Sequence, residues 1–136
     1  YNTAQNWSDD PDTQPSREIL RSPNHYGYFT IFASPVKKFS TSLSGTYTGS
    51  MYVPHMAGYI VKDVLEKTKQ FFDVNIKLNY DFSISSNYIL QVNCGVQNIF
   101  QSYQKDFDQG ELRDAGYIYG PGLPRSWFAG IKLSLN

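Results

Sequence analysis

Side chains that could recognise a ligand are concentrated in the segment 101–124. Charged residues and tyrosines are clustered there: Tyr103, Asp106, Asp108, Glu111, Arg113, Asp114, Tyr117 and Tyr119. Tyrosine offers a rigid apolar surface with a polar tip, and arginine can hold a carboxylate or phosphate through two parallel hydrogen bonds. The candidate ligand contacts are therefore Tyr103, Arg113, Tyr117 and Tyr119. A solvated loop without a ligand is the competing interpretation.

Catalysis and metal binding find little support in the residue pattern. His25 and His55 are the only histidines, and each lies where a predicted loop meets a predicted strand, which favours a structural role. Cys94 is the only cysteine, so neither a disulfide framework nor a cysteine metal cluster is possible. Three early aspartates lack the spacing of an EF-hand loop: Asp9, Asp10 and Asp12. We expect no enzymatic activity, no cofactor and no metal.

The overall composition excludes two further classes of protein. The 136 residues carry 12 basic and 12 acidic side chains, so there is no electrostatic reason to expect a nucleic-acid partner. The mean hydropathy is -0.44, and no run approaches the roughly 18 apolar residues that a membrane helix needs. A transmembrane β-barrel remains possible, because each of its strands is apolar on one face only.

A period of two is the strongest pattern, and it predicts an all-β protein. Apolar residues at even positions from 72 to 82 alternate with polar residues from 73 to 81. A soluble strand usually has about 5 to 6 residues, whereas a tilted membrane strand needs about 9 to 11. Weaker alternation recurs elsewhere, and we predict an antiparallel up-and-down meander of five long strands: 26–36, 39–54, 70–84, 87–101 and 125–136.

The predicted connections alternate between short and long. Residues 36–39 and 84–87 are tight turns, while 1–25, 54–70 and 101–124 are long, polar and punctuated by Pro and Gly. Bacterial outer-membrane barrels have short periplasmic turns and long extracellular loops. If the last strand ends in the periplasm, all three long segments lie outside the cell. Within 54–70, the pattern is compatible with an amphipathic helical turn or with an extension of the strands.

Three motifs resemble the C-terminal end of TonB-dependent outer-membrane receptors. They are Arg-Ser-Pro-Asn-His-Tyr-Gly at 21–27, Gly-Val-Gln-Asn-Ile-Phe at 95–100, and Gly-Tyr-Ile-Tyr-Gly-Pro-Gly-Leu-Pro-Arg at 116–125. In that family an R-x-P-x-H element enters a strand, an N-x-F element ends the penultimate strand, and a G-x-P-R element precedes the last. The resemblance extends from about residue 17 onward. It implies that 26–136 are the last five strands of a barrel of about 22 strands, with a plugged lumen.

The resemblance also implies a function, a location and a set of partners. Such receptors take up a scarce nutrient such as a siderophore, haem, vitamin or oligomer across the bacterial outer membrane, and bind it at extracellular loops and the plug. The implied partners are the rest of the barrel and its plug, outer-membrane lipid, TonB acting through the plug, the nutrient ligand and a surface lipoprotein. Nucleic acid is not among them.

Two alternatives of other classes stay open. A passive porin or structural outer-membrane barrel would show the same strands, and only the receptor-like motifs argue against it. A soluble β-sandwich or lipocalin-like binding module would also alternate, but it predicts shorter strands and no regular succession of short and long connections. Five strands cannot close a barrel, so the barrel interpretation requires that this chain be part of a larger protein.

Overall fold

Strands are the regular secondary structure of this chain in a computed structural model that describes residues 4–135. The prediction of an all-β chain with an antiparallel sheet is confirmed. Seven strands follow one another along the chain: β1 Tyr26–Val36, β2 Phe39–Thr48, β3 Tyr52–His55, β4 Val64–Lys67, β5 Phe71–Ser85, β6 Tyr88–Gln97 and β7 Ser126–Leu135. Between residues 4 and 135 there is no helix with the length and apolar character needed to cross a membrane.

The described residues divide into two compact units. The first, called the hairpin unit below, comprises residues up to 26 together with 48–71 and 104–122. The second, called the sheet unit, comprises 27–47, 72–103 and 123 onward. Each unit is therefore assembled from three separate stretches of the sequence.

The sheet unit is a five-stranded sheet in the spatial order β1-β2-β5-β6-β7. Two-residue turns at 37–38 and 86–87 join β1 to β2 and β5 to β6. Ile76 pairs with Val96, and Val96 pairs with Trp127. The pairing of β5 with β6 is regular up to a bulge between Ser83 and Ser85. Neighbours in the five-stranded sheet thus follow the order in which these strands occur in the chain.

The register sorts side chains onto two chemically different faces, because successive residues of a strand point to opposite sides. One face is apolar across β5, β6 and β7, and its members are Ile76, Leu78, Tyr80, Phe82, Tyr88, Leu90, Val92, Cys94, Val96, Trp127, Ala129, Ile131, Leu133 and Leu135. Much of it is open: Trp127 is 76% exposed and Ile131 is 78% exposed. Val74, near the start of β5, is buried.

The opposite face carries polar side chains that bond to one another across the strands. Gln91 donates a hydrogen bond to Asp81 at 2.8 Å, and Asn79 donates one to the Ser40 hydroxyl at 3.1 Å. Phe128 is an exception on this face, and it packs across Gly95. A Cβ on Gly95 would overlap both the Phe128 ring and the Ile76 carbonyl oxygen, so this strand position requires a residue without a side chain.

Asn98 directly follows the last residue of β6 and belongs to the motif at 95–100. Its backbone is left-handed, with φ of 49°, a conformation that asparagine tolerates better than most residues. The buried side chain donates to the carbonyl oxygen of Leu123 at 2.8 Å and accepts from the backbone N–H of Ser102 at 2.8 Å. The strand predicted for 87–101 therefore stops at Gln97, because Asn98 turns the chain.

The hairpin unit is built around the two-stranded sheet of β3 and β4. Tyr52 pairs with Lys67 and His55 pairs with Val64. The core consists of Met51, Val53 and Tyr117, with Tyr119 packed against them. The helical alternative for part of 54–70 is wrong, since β4 takes up the second half of that segment.

The strand predicted for 39–54 is also corrected, because the chain leaves the five-stranded sheet after Thr48. The Gly49 N–H donates to the His25 carbonyl oxygen at 2.7 Å, and the Met51 N–H donates to the Thr68 hydroxyl at 3.0 Å. These partners lie outside the five-stranded sheet, so the N–H groups of Gly49 and Met51 are satisfied without a sixth strand in it. Alternation alone gave no sign of this break.

Replacing Gly95 by alanine should destabilise the sheet unit by about 1–3 kcal/mol or more, because the new methyl group has no room. Gly27→Ala is the matched control, since Gly27 also lies in a strand but has open space around its Cβ position. The free energy of unfolding, measured with denaturant in detergent micelles, should fall only for Gly95→Ala. Equal stability of the two variants would contradict the packing described for Gly95.

Candidate functional site

The most densely connected polar cluster lies on one face of the β3–β4 hairpin. Val53 pairs with Glu66 and His55 pairs with Val64, so the side chains of His55 and Glu66 are diagonal neighbours on that face. Their closest atoms, Nδ1 of His55 and Oε1 of Glu66, are 3.4 Å apart. Alternation within two short strands is therefore enough to bring a histidine and a carboxylate together.

His55 is enclosed between a second carboxylate and an aromatic ring. Its Nε2 atom lies 2.9 Å and 3.0 Å from the two carboxylate oxygens of Asp108. The Tyr117 ring stacks on the imidazole, with centroids 3.7 Å apart and an interplanar angle of 9°. His55 is only 4% exposed, so these contacts replace solvent almost completely.

The charge state of His55 follows from these contacts. Burial alone would lower the pKa of His55, but hydrogen bonds to Asp108 and Glu66 and their negative charges outweigh it, so the pKa is raised above 6.5. Burial likewise opposes ionisation of Asp108, but the N–H of Asp114 and the imidazole outweigh it and lower the pKa of this carboxyl. An imidazolium that donates from both ring nitrogens is thus the favoured form.

Two tyrosines extend the cluster towards a third carboxylate. The Tyr117 hydroxyl donates to Glu66 at 2.6 Å, and the Tyr119 hydroxyl lies 2.6 Å and 2.7 Å from the oxygens of Asp106. The two rings meet edge to face at 5.3 Å. Burial and the neighbouring carboxylates raise the pKa of both hydroxyls, so each remains a protonated donor.

Gln104 holds the tyrosine segment in place from inside. It is 1% exposed, and its side-chain amide donates to the carbonyl oxygen of Tyr117 at 3.0 Å. Its side-chain oxygen accepts from the N–H of Tyr119 at 2.9 Å, while its own N–H donates to Pro121 at 2.9 Å. One buried amide therefore satisfies backbone groups of an irregular segment that has no strand partner.

The geometry of the His55 cluster favours a role in holding side chains in place over a role in making or breaking bonds. Both ring nitrogens of His55 already face carboxylates, which leaves neither nitrogen free to accept a proton from a substrate. Among residues 4–135, no group of three or more His, Cys, Asp or Glu side chains could hold a metal ion. Asp10 instead accepts the N–H of Asp12 at 3.0 Å, as in an ordinary turn.

The four predicted ligand contacts have different positions. Tyr117 and Tyr119 lie together in the hairpin unit, but Tyr117 is only 3% exposed and forms part of the core. Arg113 is an exposed residue of the same unit, and Tyr103 belongs to the sheet unit. Sequence reasoning assigned His55 a structural role, which its buried contacts bear out, but it missed Glu66 and Gln104, whose positions depend on a hairpin register and on long-range contacts.

The hairpin unit should become less stable as the pH rises above about 6.5, the ordinary pKa of histidine. A raised pKa means that the folded form binds the proton more tightly than the unfolded form. The stabilisation is therefore complete below pH 6.5 and is lost as the pH rises through the pKa of folded His55. One proton limits the slope to about 1.4 kcal/mol per pH unit.

Amide hydrogen exchange at Val53, corrected for the intrinsic pH dependence of exchange, measures this effect locally. In His55→Gln the free energy of opening should be lower and nearly independent of pH over the same range. A slope that is identical in the variant and the parent would contradict a role for His55.

No protein-family model, curated protein or solved structure matches this chain.

Proposed function

We propose that the sheet unit lies in the bacterial outer membrane as the C-terminal strands of a TonB-dependent receptor with a barrel of about 22 strands. The observation that carries this proposal is the open apolar face of β5, β6 and β7, where Trp127, Ile131 and Leu135 are each more than 70% exposed. A protein surface in water rarely leaves so long a contiguous row of large apolar side chains uncovered. Lipid is the solvent that suits this face.

The dimensions of β5 support the same solvent. Phe72, stacked near Phe100 at 5.8 Å, lies at one end of its apolar face, and Phe82, in contact with Tyr80, lies near the tight turn. Phe82 lies ten positions after Phe72, which corresponds to about 33 Å along a strand. A tilt of about 40° reduces this to roughly 25 Å, the height of the apolar band between two aromatic girdles.

The opposite face supports an aqueous lumen. It carries Lys77, Asn79, Asp81 and Gln91, and the bond from Gln91 to Asp81 shows that these groups satisfy one another across strands. Barrel strands alternate between apolar residues outside and polar residues inside. A soluble sandwich would instead need a second layer over the apolar face.

A receptor is favoured over a passive pore by the three motifs and by the ordered hairpin unit. Long connections of this chain contribute a small core of their own around Val53 and Tyr117. Residues near that core remain accessible, among them Arg113 and Ile118. In this proposal the hairpin unit belongs to the extracellular side, and its accessible side chains contribute to capture of a scarce nutrient.

Paired labels on β7 test the membrane position of the sheet. Spin labels at Ile131, on the apolar face, and at Lys132, on the polar face, are introduced separately into the barrel-containing protein in liposomes. A lipid-soluble quencher should reach the label at 131 more than the label at 132, and a water-soluble quencher should show the reverse preference. Ile131→Arg should cost roughly 2 to 4 kcal/mol if the site lies near mid-bilayer. Equal quenching at both positions would refute the lipid-facing assignment.

Dependence on cellular energy separates a receptor from a pore. Bacteria with and without the gene for this protein are compared for uptake of a ferric siderophore, haem, cobalamin and a maltodextrin. A receptor predicts that uptake of one of these is lost on deletion and also when an uncoupler collapses the proton gradient. Gene-dependent uptake that continues with the uncoupler would favour the porin alternative.

A further inference from the structure

A pocket of about 320 Å³ lies within the hairpin unit and shares Tyr119 with the His55 cluster. Five residues line it: Arg21, Met51, Ile118, Tyr119 and Gly120. Small-molecule sites commonly have volumes of about 300 to 1,000 Å³, with mostly apolar walls and a few polar groups. This pocket has that character on a small scale, since a single arginine lines it together with apolar and aromatic residues.

The Arg21 side chain is available for a ligand. Within the described part of the chain it forms no ion pair or hydrogen bond, although a terminal nitrogen lies close to Gly116. The nearby Asp114 carboxylate is occupied, with one oxygen accepting the N–H of Gly116 at 2.7 Å and the other the N–H of Met56 at 2.9 Å. Among residues 4–135, the guanidinium donors of Arg21 therefore have no hydrogen-bond acceptor.

The backbone of Arg21 is fixed although its side chain has no partner within the part of the chain that the structure describes. Its N–H donates to the Tyr52 carbonyl oxygen at 2.8 Å, next to a bridge between Leu20 and Tyr52. Its φ of 56° is left-handed, which is unfavourable for a residue other than glycine. Residues held in such conformations are frequent at ligand clamps, where the surrounding structure enforces them.

The apolar wall is equally well ordered. The Tyr119 ring is fixed by its hydroxyl contact with Asp106 and by packing against Phe71, with centroids 5.9 Å apart. Met51 is buried, and Ile118 is 60% exposed at the wall. A ligand would thus meet an aromatic ring, a thioether and a cationic residue in the lining of one pocket.

We propose that this pocket binds a small organic carboxylate. The carboxylate would accept two parallel hydrogen bonds from Arg21, and its apolar or aromatic body would pack against Tyr119 and Met51. A cationic ligand is disfavoured by Arg21, and a bare inorganic anion would leave the apolar wall uncovered. The site concerns the hairpin unit alone and does not depend on a membrane position for the sheet unit.

Benzoate is a suitable probe, with benzyl alcohol as the neutral molecule of similar shape. Titration of the full chain in detergent micelles, followed by NMR at the Arg21 side chain, should show saturable binding of benzoate only. Arg21→Gln keeps the backbone cost of a non-glycine residue but should weaken binding by about 10- to 100-fold, the worth of a charged hydrogen-bonded pair. Arg21→Lys should be intermediate, because it keeps the charge but loses the bidentate geometry.

A second pair of variants tests the pocket without touching Arg21. Ile118→Glu would place a carboxylate beside the guanidinium and should abolish benzoate binding, whereas Ile118→Gln has nearly the same shape and should retain it. Benzoate binding that is equal in Arg21→Gln and the parent, or equal in both Ile118 variants, would overturn the proposal. So would the absence of saturable binding in the parent. None of these results bears on the quenching experiment at 131 and 132, so the two proposals can fail separately.

Discussion

The register of β5 against β6 is the constraint from which the architecture of the sheet unit follows. Ile76 opposite Val96 places every even-numbered residue of the following stretch of β5 on the apolar face. A slip by one residue would move Lys77 and Asp81 to that face and place their charges among apolar side chains. Gly95 helps to fix the register, because the Phe128 ring on β7 occupies the space where its side chain would be. Backbone pairing and side-chain packing thus specify the same alignment.

The hairpin unit depends on a different kind of interaction, a charged network centred on the buried side chains of His55 and Asp108. His55 lies between Asp108 and Glu66, and the Asp108 carboxylate also accepts the N–H of Asp114 at 2.9 Å. Removing one member of such a network leaves another charge buried without a partner, which costs more than the intact network contributes. The cluster therefore secures one conformation of the segment 104–122, and the rigid Tyr119 wall of the pocket is a consequence of that order.

Sequence patterns predicted those parts of the fold that depend on local alternation. The run around Ile76 and Leu78 identified β5, and the short turns gave the order of the five-stranded sheet. The break at Gly49 was missed because it depends on a hydrogen bond to His25, which is distant in sequence. The motif at 95–100 indicated where β6 ends, but the strand was predicted to reach residue 101 because the bond from Asn98 to Leu123 could not be foreseen. For the same reason the segment 101–124 was recognised as chemically rich, but its partition into a buried Tyr117, a bracing Gln104 and an exposed Arg113 could not be foreseen.

Edge strands place a further demand on the proposed membrane position. β1 and β7 each have a neighbour on one side only within the described sheet, so the outward N–H and C=O groups of both strands lack ladder partners there. In water such groups are solvated, but in hydrocarbon each unsatisfied group costs several kcal/mol. In the proposed membrane position the apolar face would contact lipid, whereas the strand edges would have to be kept out of it. Both requirements are met only if additional strands pair with β1 and β7, and this is the physical reason why a lipid-facing sheet of this kind must belong to a closed barrel.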